Sequence, residues 1–274
     1  MTHKTIARLL LASLVTFVAI GTVAASGATA IGPDSTKATT AGHRSAERTA
    51  PVVPALNATL VITFSDPVNG YHPMGITTDG TYYYTTNGGN AGACVVNTFD
   101  LSGNLVRSSP CSIDNRDIAW NPAAQALVAK SYDDNEYRID PVTGQSILVG
   151  LGWFAYQQSS PALIPSGRRI LEHESGTIRV LRASDGTLLQ TLSGFRSGSY
   201  PSNEAVAVDR AGHILTWDGS TVFAQDSNAN LLATVRIPFG TYGFALSYTN
   251  GLLFTADDIN GFGNATWYGY TVSP

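Results

Sequence analysis

The chain has 274 residues, a formal net charge of −4, only 13% charged residues and 27 glycines. A mildly acidic body with no basic run excludes nucleic acid as a partner. Abundant glycine with few charges suits many short strands and turns rather than long helices.

Residues 1–30 read as a secretory signal peptide. Lys4 and Arg8 supply the positive start, Leu9 to Ile20 the apolar stretch, and Ala28-Thr29-Ala30 a small-x-small cleavage site. The apolar stretch is short for a membrane span. The expected product is secreted or extracytoplasmic, with no membrane attachment once the signal is removed. Residues 31–56 are rich in Ala, Thr, Ser and Pro without apolar periodicity and read as a disordered linker. The folded domain is expected over 57–274.

Within that domain a glycine hairpin recurs about every 42 residues. It is seen at Asp100-Leu-Ser-Gly103, Asp140-Pro-Val-Thr-Gly144 and Ser184-Asp-Gly186, and again at Asp226-Ser-Asn-Ala229 with alanine in place of glycine. A period of this length with strands on both sides is the signature of propeller blades. Each unit has one plan. Strand a opens it at 75–80, 117–122, 161–167, 204–212 and 243–251. Strand b follows at 82–86, 126–130, 169–172, 214–217 and 252–255. Strand c precedes the hairpin at 95–99, 136–139, 178–181, 222–224 and 266–272. Strand d follows the hairpin at 105–108, 147–149, 188–192 and 231–237. The fifth unit has no strand d before the chain ends. Asn57-Ala-Thr-Leu60 matches Asn228-Ala-Asn-Leu231, so residues 58–65 are expected to supply the missing strand against Trp267–Val272, because an open ring would leave two bare sheet edges. The fold expected is all-β: a five-bladed β-propeller of four-stranded antiparallel blades, closed by the N-terminal strand.

Two stretches carry a resemblance. Glu204-Ala-Val-Ala-Val-Asp209-Arg-Ala-Gly212-His-Ile-Leu and Gly75-Ile-Thr-Thr-Asp79-Gly80-Thr-Tyr-Tyr-Tyr resemble the strand pair that opens an NHL-type repeat. The Asp–Gly hairpins are similar to those of YVTN-type (YncE-like) propellers, including secreted bacterial ones. The resemblance implies the fold and carries no activity. Asp140-Pro-Val-Thr-Gly144 looks like part of a quinoprotein blade motif but lacks the tryptophan that should follow, so no cofactor is expected.

Other motifs fail on context. Gly150-Leu-Gly152 lies between strands with no helix to present N–H groups to a phosphate. Glu172-His173-Glu174 lacks metalloprotease spacing and reads as a solvated strand end. Asp133-Asp134-Asn135-Glu136 lacks the spaced ligands of a calcium loop and reads as a solvated connection. No metal is expected.

Cys94 precedes strand c of the first unit and Cys111 follows its strand d. A two-residue turn at Ser102-Gly103 brings them opposite each other at a non-hydrogen-bonded pair, where Cα atoms approach to about 4.5 Å. Export favours oxidation, so a structural disulfide is expected.

The candidate site lies in the d→a connections. Tyr71, Tyr156, Tyr200 and Tyr242 recur just before strand a in four of the five units, beside His72, Gln157, Gln158 and Asn203. The second unit supplies Asp114, Asn115, Arg116 and Asp117 instead. Tyrosine offers apolar contact area with a polar tip, suited to sugars or peptides. The four either wedge neighbouring blades together, and are then buried, or line a binding surface, and then stay partly open. Asp117 and Glu204 begin strand a in non-adjacent units and can be read as an acid–base pair. The function expected is a monomeric binding or scaffold module for a small-molecule, glycan or protein ligand at the channel mouth. The alternative is a glycan-cleaving hydrolase or lyase using Asp117 and Glu204.

Overall fold

The computed structural model describes residues 52–69, 71–258 and 264–273. The chain divides into a unit over Met1–Thr49 and another over Ala50–Pro274. The stretch read as signal peptide, and the linker as far as residue 51, lie outside the described residues.

The described chain is all-β apart from one 3-10 turn at Ala91–Ala93. Three sheets are four-stranded, antiparallel and built from consecutive strands. The first holds β2 (His72–Thr78), β3 (Tyr82–Gly88), β4 (Val95–Asp100) and β5 (Leu105–Pro110). The second holds β6 (Ala119–Asn121), β7 (Ala126–Lys130), β8 (Glu136–Ile139) and β9 (Ser146–Gly150). The third holds β10 (Ala162–Leu163), β11 (Arg169–Glu174), β12 (Thr177–Arg182) and β13 (Leu188–Ser193).

The remaining strands form one mixed eight-stranded sheet. One half is β14 (Ala207–Val208), β15 (Ile214–Trp217), β16 (Thr221–Gln225) and β17 (Leu231–Arg236). The other is β18 (Ser247–Thr249), β19 (Leu252–Asp257), β20 (Ala265–Ser273) and β1 (Ala55–Asp66). Each half is antiparallel. They are joined where Ala55 and Leu56 of β1 pair in parallel with Thr234 and Val235 of β17. These two residues fall in the stretch expected to be linker, because two residues carry no strand pattern of their own.

β1 runs antiparallel to β20 with Ala58 opposite Val272 and Phe64 opposite Trp267, which is the pairing expected of residues 58–65. Strands b, c and d fall where the alternation placed them. Strand a is shorter than read, two residues in β10 and two in β14. It is an edge strand, with a partner on one side only, and Pro161 and Pro165 flank β10.

The first strands of the units contact one another in a closed cycle: β2 with β6, β6 with β10, β10 with β14, β14 with β18, and β18 with β2. Apolar clusters sit between consecutive sheets. Ile118, Leu127 and Ile139 meet Tyr84 and Val96 between the second and first. Phe64, Phe254 and Trp267 meet Ile76, Tyr83 and Phe99 between the last strands and the first sheet.

The repeated hairpin glycine has two jobs. Gly103, Gly144 and Gly186 all have positive φ, and Ala229 adopts the same backbone at φ 62°. A side chain at Gly144 would also overlap the Pro110 carbonyl of the preceding sheet, and one at Gly186 would overlap Trp153. The glycines therefore permit the turn and let one sheet approach the next.

Cys94 and Cys111 are disulfide-bonded with Cα atoms 4.9 Å apart. Val95 pairs with Pro110 and Thr98 with Arg107, after which a bulge intervenes before Phe99 and Leu105. The Cys111 N–H donates to the Cys94 carbonyl at 3.0 Å, so the pair is hydrogen-bonded on one side, contrary to the expectation. The bulge shifts the alternation counted from the turn. Replacing both cysteines by alanine is expected to lower the unfolding free energy by about 3 kcal/mol, read as a lower urea midpoint. An unchanged midpoint would rule out a structural role for the bond.

Candidate functional site

The meander topology puts the d→a connections and the b–c loops at one end of the sheets. Here the sequence-predicted residues separate into an aromatic strip and a charged pit.

The strip crosses from the fourth unit to the first. Tyr200 packs edge-on to Phe244 with centroids 5.8 Å apart, Phe244 meets Tyr242 at 5.5 Å, and Tyr242 stacks on His72 at 5.3 Å. His72 Nδ1 lies 2.8 Å from Asp258 Oδ2. Tyr71 adjoins His72, and its hydroxyl accepts from Asn90 Nδ2 at 2.9 Å. Tyr200 is 62% exposed, while Tyr71, Tyr156 and Tyr242 are half-buried. The tyrosines thus stay partly open. Burial, with Asp258 nearby, pushes the Tyr242 phenol well above its usual range.

The pit lies toward the second and third sheets. Lys130 is buried and donates to the Gln157 carbonyl at 2.8 Å. Its register partner Glu136 is also buried, as is Asp117. With Phe154 and Ile170 they border a cavity of ≈ 10 Å³, about the size of one water. Desolvation pushes Glu136 up to about 8 and Asp117 well above the carboxylate range, and brings Lys130 down to about 8.

Glu172 is fully buried and accepts from the N–H groups of Ala155 (3.0 Å) and Tyr156 (2.9 Å), from Ser159 Oγ (3.1 Å) and from Arg179. The Arg179 guanidinium lies 5.9 Å from the Tyr156 ring centroid. Glu204 is raised to about 7 by burial and then by the neighbouring Glu174 charge, and among the described residues its Oε2 has no hydrogen-bond partner. Arg116 donates to Asp114 at 3.2 Å and lies over the Tyr132 ring, with its Nε unpartnered.

Two sequence readings need correction. Glu172-His173-Glu174 is not a solvated strand end, because Glu172 and His173 are both fully buried. The Gly176 N–H donates to His173 Nε2, so the protonated Nδ1 donates to the Ala205 carbonyl at 3.1 Å. Asp133–Glu136 is not a wholly solvated loop, because Asn135 and Glu136 are buried. Lys130, Glu172 and Arg179 were missed for the same reason. Period-2 alternation marks the two faces of a strand, but in a stack of sheets both faces are covered. Asp117 and Glu204 are not brought into contact. Each feels Lys130, and Asp117 also borders a cavity lined by the edge strands β2, β6, β10, β14 and β18. Among the described residues no group of three His, Cys, Asp or Glu side chains is arranged to hold a metal ion.

Buried acids with raised pKa values make stability depend on pH. Folded Glu136 keeps a proton that the unfolded chain loses above about pH 4.5, so its contribution declines as pH rises and levels off near 8. Glu204 acts in the same direction up to about 7, and Lys130 acts only above about 8. Glu136→Gln is expected to flatten this fall and to be the more stable protein at pH 8, by on the order of 2 kcal/mol. Urea midpoints at pH 5 and pH 8 test it; parallel curves for variant and parent would contradict it.

No protein-family profile matches the chain, and no curated protein is significantly similar to it. Its function is read from geometry.

Proposed function

We propose that the chain is an exported five-bladed β-propeller closed by β1, working as a binding module whose d→a face takes a glycan. The cyclic contacts of the innermost strands and the apolar clusters between consecutive sheets support the blade count, with each half of the eight-stranded sheet as one blade. The NHL- and YVTN-like stretches agree with that reading, and the Lys4–Ala30 pattern supports export.

One observation carries the function. Among the described residues, six of the nine buried side-chain atoms without a hydrogen-bond partner belong to Asn115, Arg116, Asp134, Asn203, Glu204 and Asp258, all at this end of the sheets, with Asp134 on the Lys130 side of the pit. Buried polar atoms are satisfied in native proteins, and a polyol supplies hydroxyls while its C–H faces stack on Tyr200 and Tyr242. Tyr200→Ala and Tyr242→Ala are each expected to weaken the best ligand from a glycan array by about 10–100-fold, the loss of about 1–3 kcal/mol. Unchanged affinity in both would remove the strip from the site.

Glu204 favours a second reading. A carboxyl held near 7 with a free oxygen suits a general acid, which supports glycan cleavage. Glu204→Gln would then lower turnover at least ~100-fold while leaving glycan affinity nearly intact.

A further inference from the structure

The central channel is a blind well that opens away from the d→a face. Its wall takes one segment from each unit: 76–79, 117–120 with 122, 161–165, 206–208 with 210, and 246–251. At the d→a end Met74, Ile118, Ser160, Ala205 and Ala245 are at most 2% exposed, and Ser160 Oγ reaches across to the Met74 carbonyl at 3.4 Å. At the other end Pro122, Pro165, Arg210 and Asn250 are exposed. The cavity measures ≈ 370 Å³, within the range of small-ligand sites.

Three features specify what the well accepts. The five innermost strands are each the edge of their sheet; the Ile76 N–H is taken by Ser247 Oγ and the Trp120 N–H by Thr77 Oγ1, and the remaining free-edge backbone groups are open to the cavity. Among the described residues three charged side chains line it: Asp79, Asp117 and Arg210. Asp79 is already engaged, Oδ1 by the N–H groups of Thr81 and Tyr82 and Oδ2 by the Tyr84 hydroxyl. Asp117 stands at the closed end, where a side chain on Gly75 would collide with its Oδ1; burial favours its protonated form, which an ammonium group alongside would reverse. Arg210 stands at the mouth, and among the described residues no carboxylate lies within ion-pair distance of it.

We propose that this well binds a short peptide of small residues, with its α-amino group at Asp117, its carboxylate toward Arg210 and its backbone on the bare strand edges. Strand edges capture extended peptides through main-chain hydrogen bonds. The wall from Asp117 to Pro122 is about 17 Å long at about 3.3 Å per residue. A tripeptide of about 10 Å fits inside it, with the long Arg210 side chain reaching back to meet it.

The probe is trialanine, titrated by calorimetry into the full chain with its signal removed. Saturable binding is expected, weakened at least about 10-fold by N-acetylation of the peptide. Arg210→Gln lies on the exposed rim and should leave the fold intact. It is expected to weaken free trialanine at least about 5-fold while leaving the C-terminal amide form unaffected. Asp117→Asn should abolish the difference between free and acetylated peptide. Absence of saturable binding up to about 10 mM, or binding indifferent to both N-acetylation and Arg210→Gln, overturns the proposal. Glycan binding on the opposite face should survive Arg210→Gln in either case.

Discussion

A chain lacking residues 55–66 is expected to aggregate on expression, whereas one lacking only 31–51 should keep the parent's urea midpoint. β1 is paired with β20 from Asn57 to Asp66 and with β17 at Ala55 and Leu56. Removing it bares both edges at once, and bare edges are templates for intermolecular pairing. Phe64 leaves the cluster it shares with Tyr83, Phe99 and Trp267. Asp66 is fully buried and accepts from Trp267 Nε1 and Asn97 Nδ2, both at 2.7 Å. Its loss strands two buried donors, each at a cost of about 1–3 kcal/mol. Together these losses reach the whole stability of a typical domain, about 5–15 kcal/mol. A soluble deletion with the parent's midpoint would contradict closure by β1.

The second large effect is at Glu172. Truncation to alanine is expected to cost about 3–5 kcal/mol, the scale of breaking a buried ion pair. It leaves Arg179 without its partner and frees the N–H groups of Ala155 and Tyr156, while the Ser159 hydroxyl keeps only the Tyr156 carbonyl. Those donors hold the 151–161 connection, which carries Tyr156 and Gln157, so the change should also loosen that part of the d→a face. Amide exchange at 154–159 should speed up well beyond that at β12, the strand carrying Arg179. A variant with parental stability and unchanged exchange would show that Glu172 does not position the connection.

The strands and their hairpins were legible because they rest on local signals. Alternation placed β3, β4 and β7, and a glycine or its stand-in Ala229 marked each turn at positive φ. The β1–β20 pairing was legible because Asn57–Leu60 repeats Asn228–Leu231. The aromatic strip was half legible: Tyr200, Tyr242 and His72 recur in the connections, but Phe244, which bridges them, lies within a segment read as strand. The charged pit was not legible. Lys130 and Glu136 look like surface residues, and only the stacking of the second sheet against the third buries them. The blind well was equally hidden, because it depends on Ser160 meeting Met74 from two units that are not neighbours in sequence.

The working face is tested most directly by amide hydrogen exchange with and without the best-binding glycan. Protection is expected at 71–72, 114–117, 156–160, 200–206 and 241–244, where the aromatic strip and the unpartnered polar atoms lie. Protection confined to the a–b turns near 79–80, 122–125, 165–167, 210–212 and 250–251 would contradict a d→a binding face and move the glycan to the opposite end of the channel.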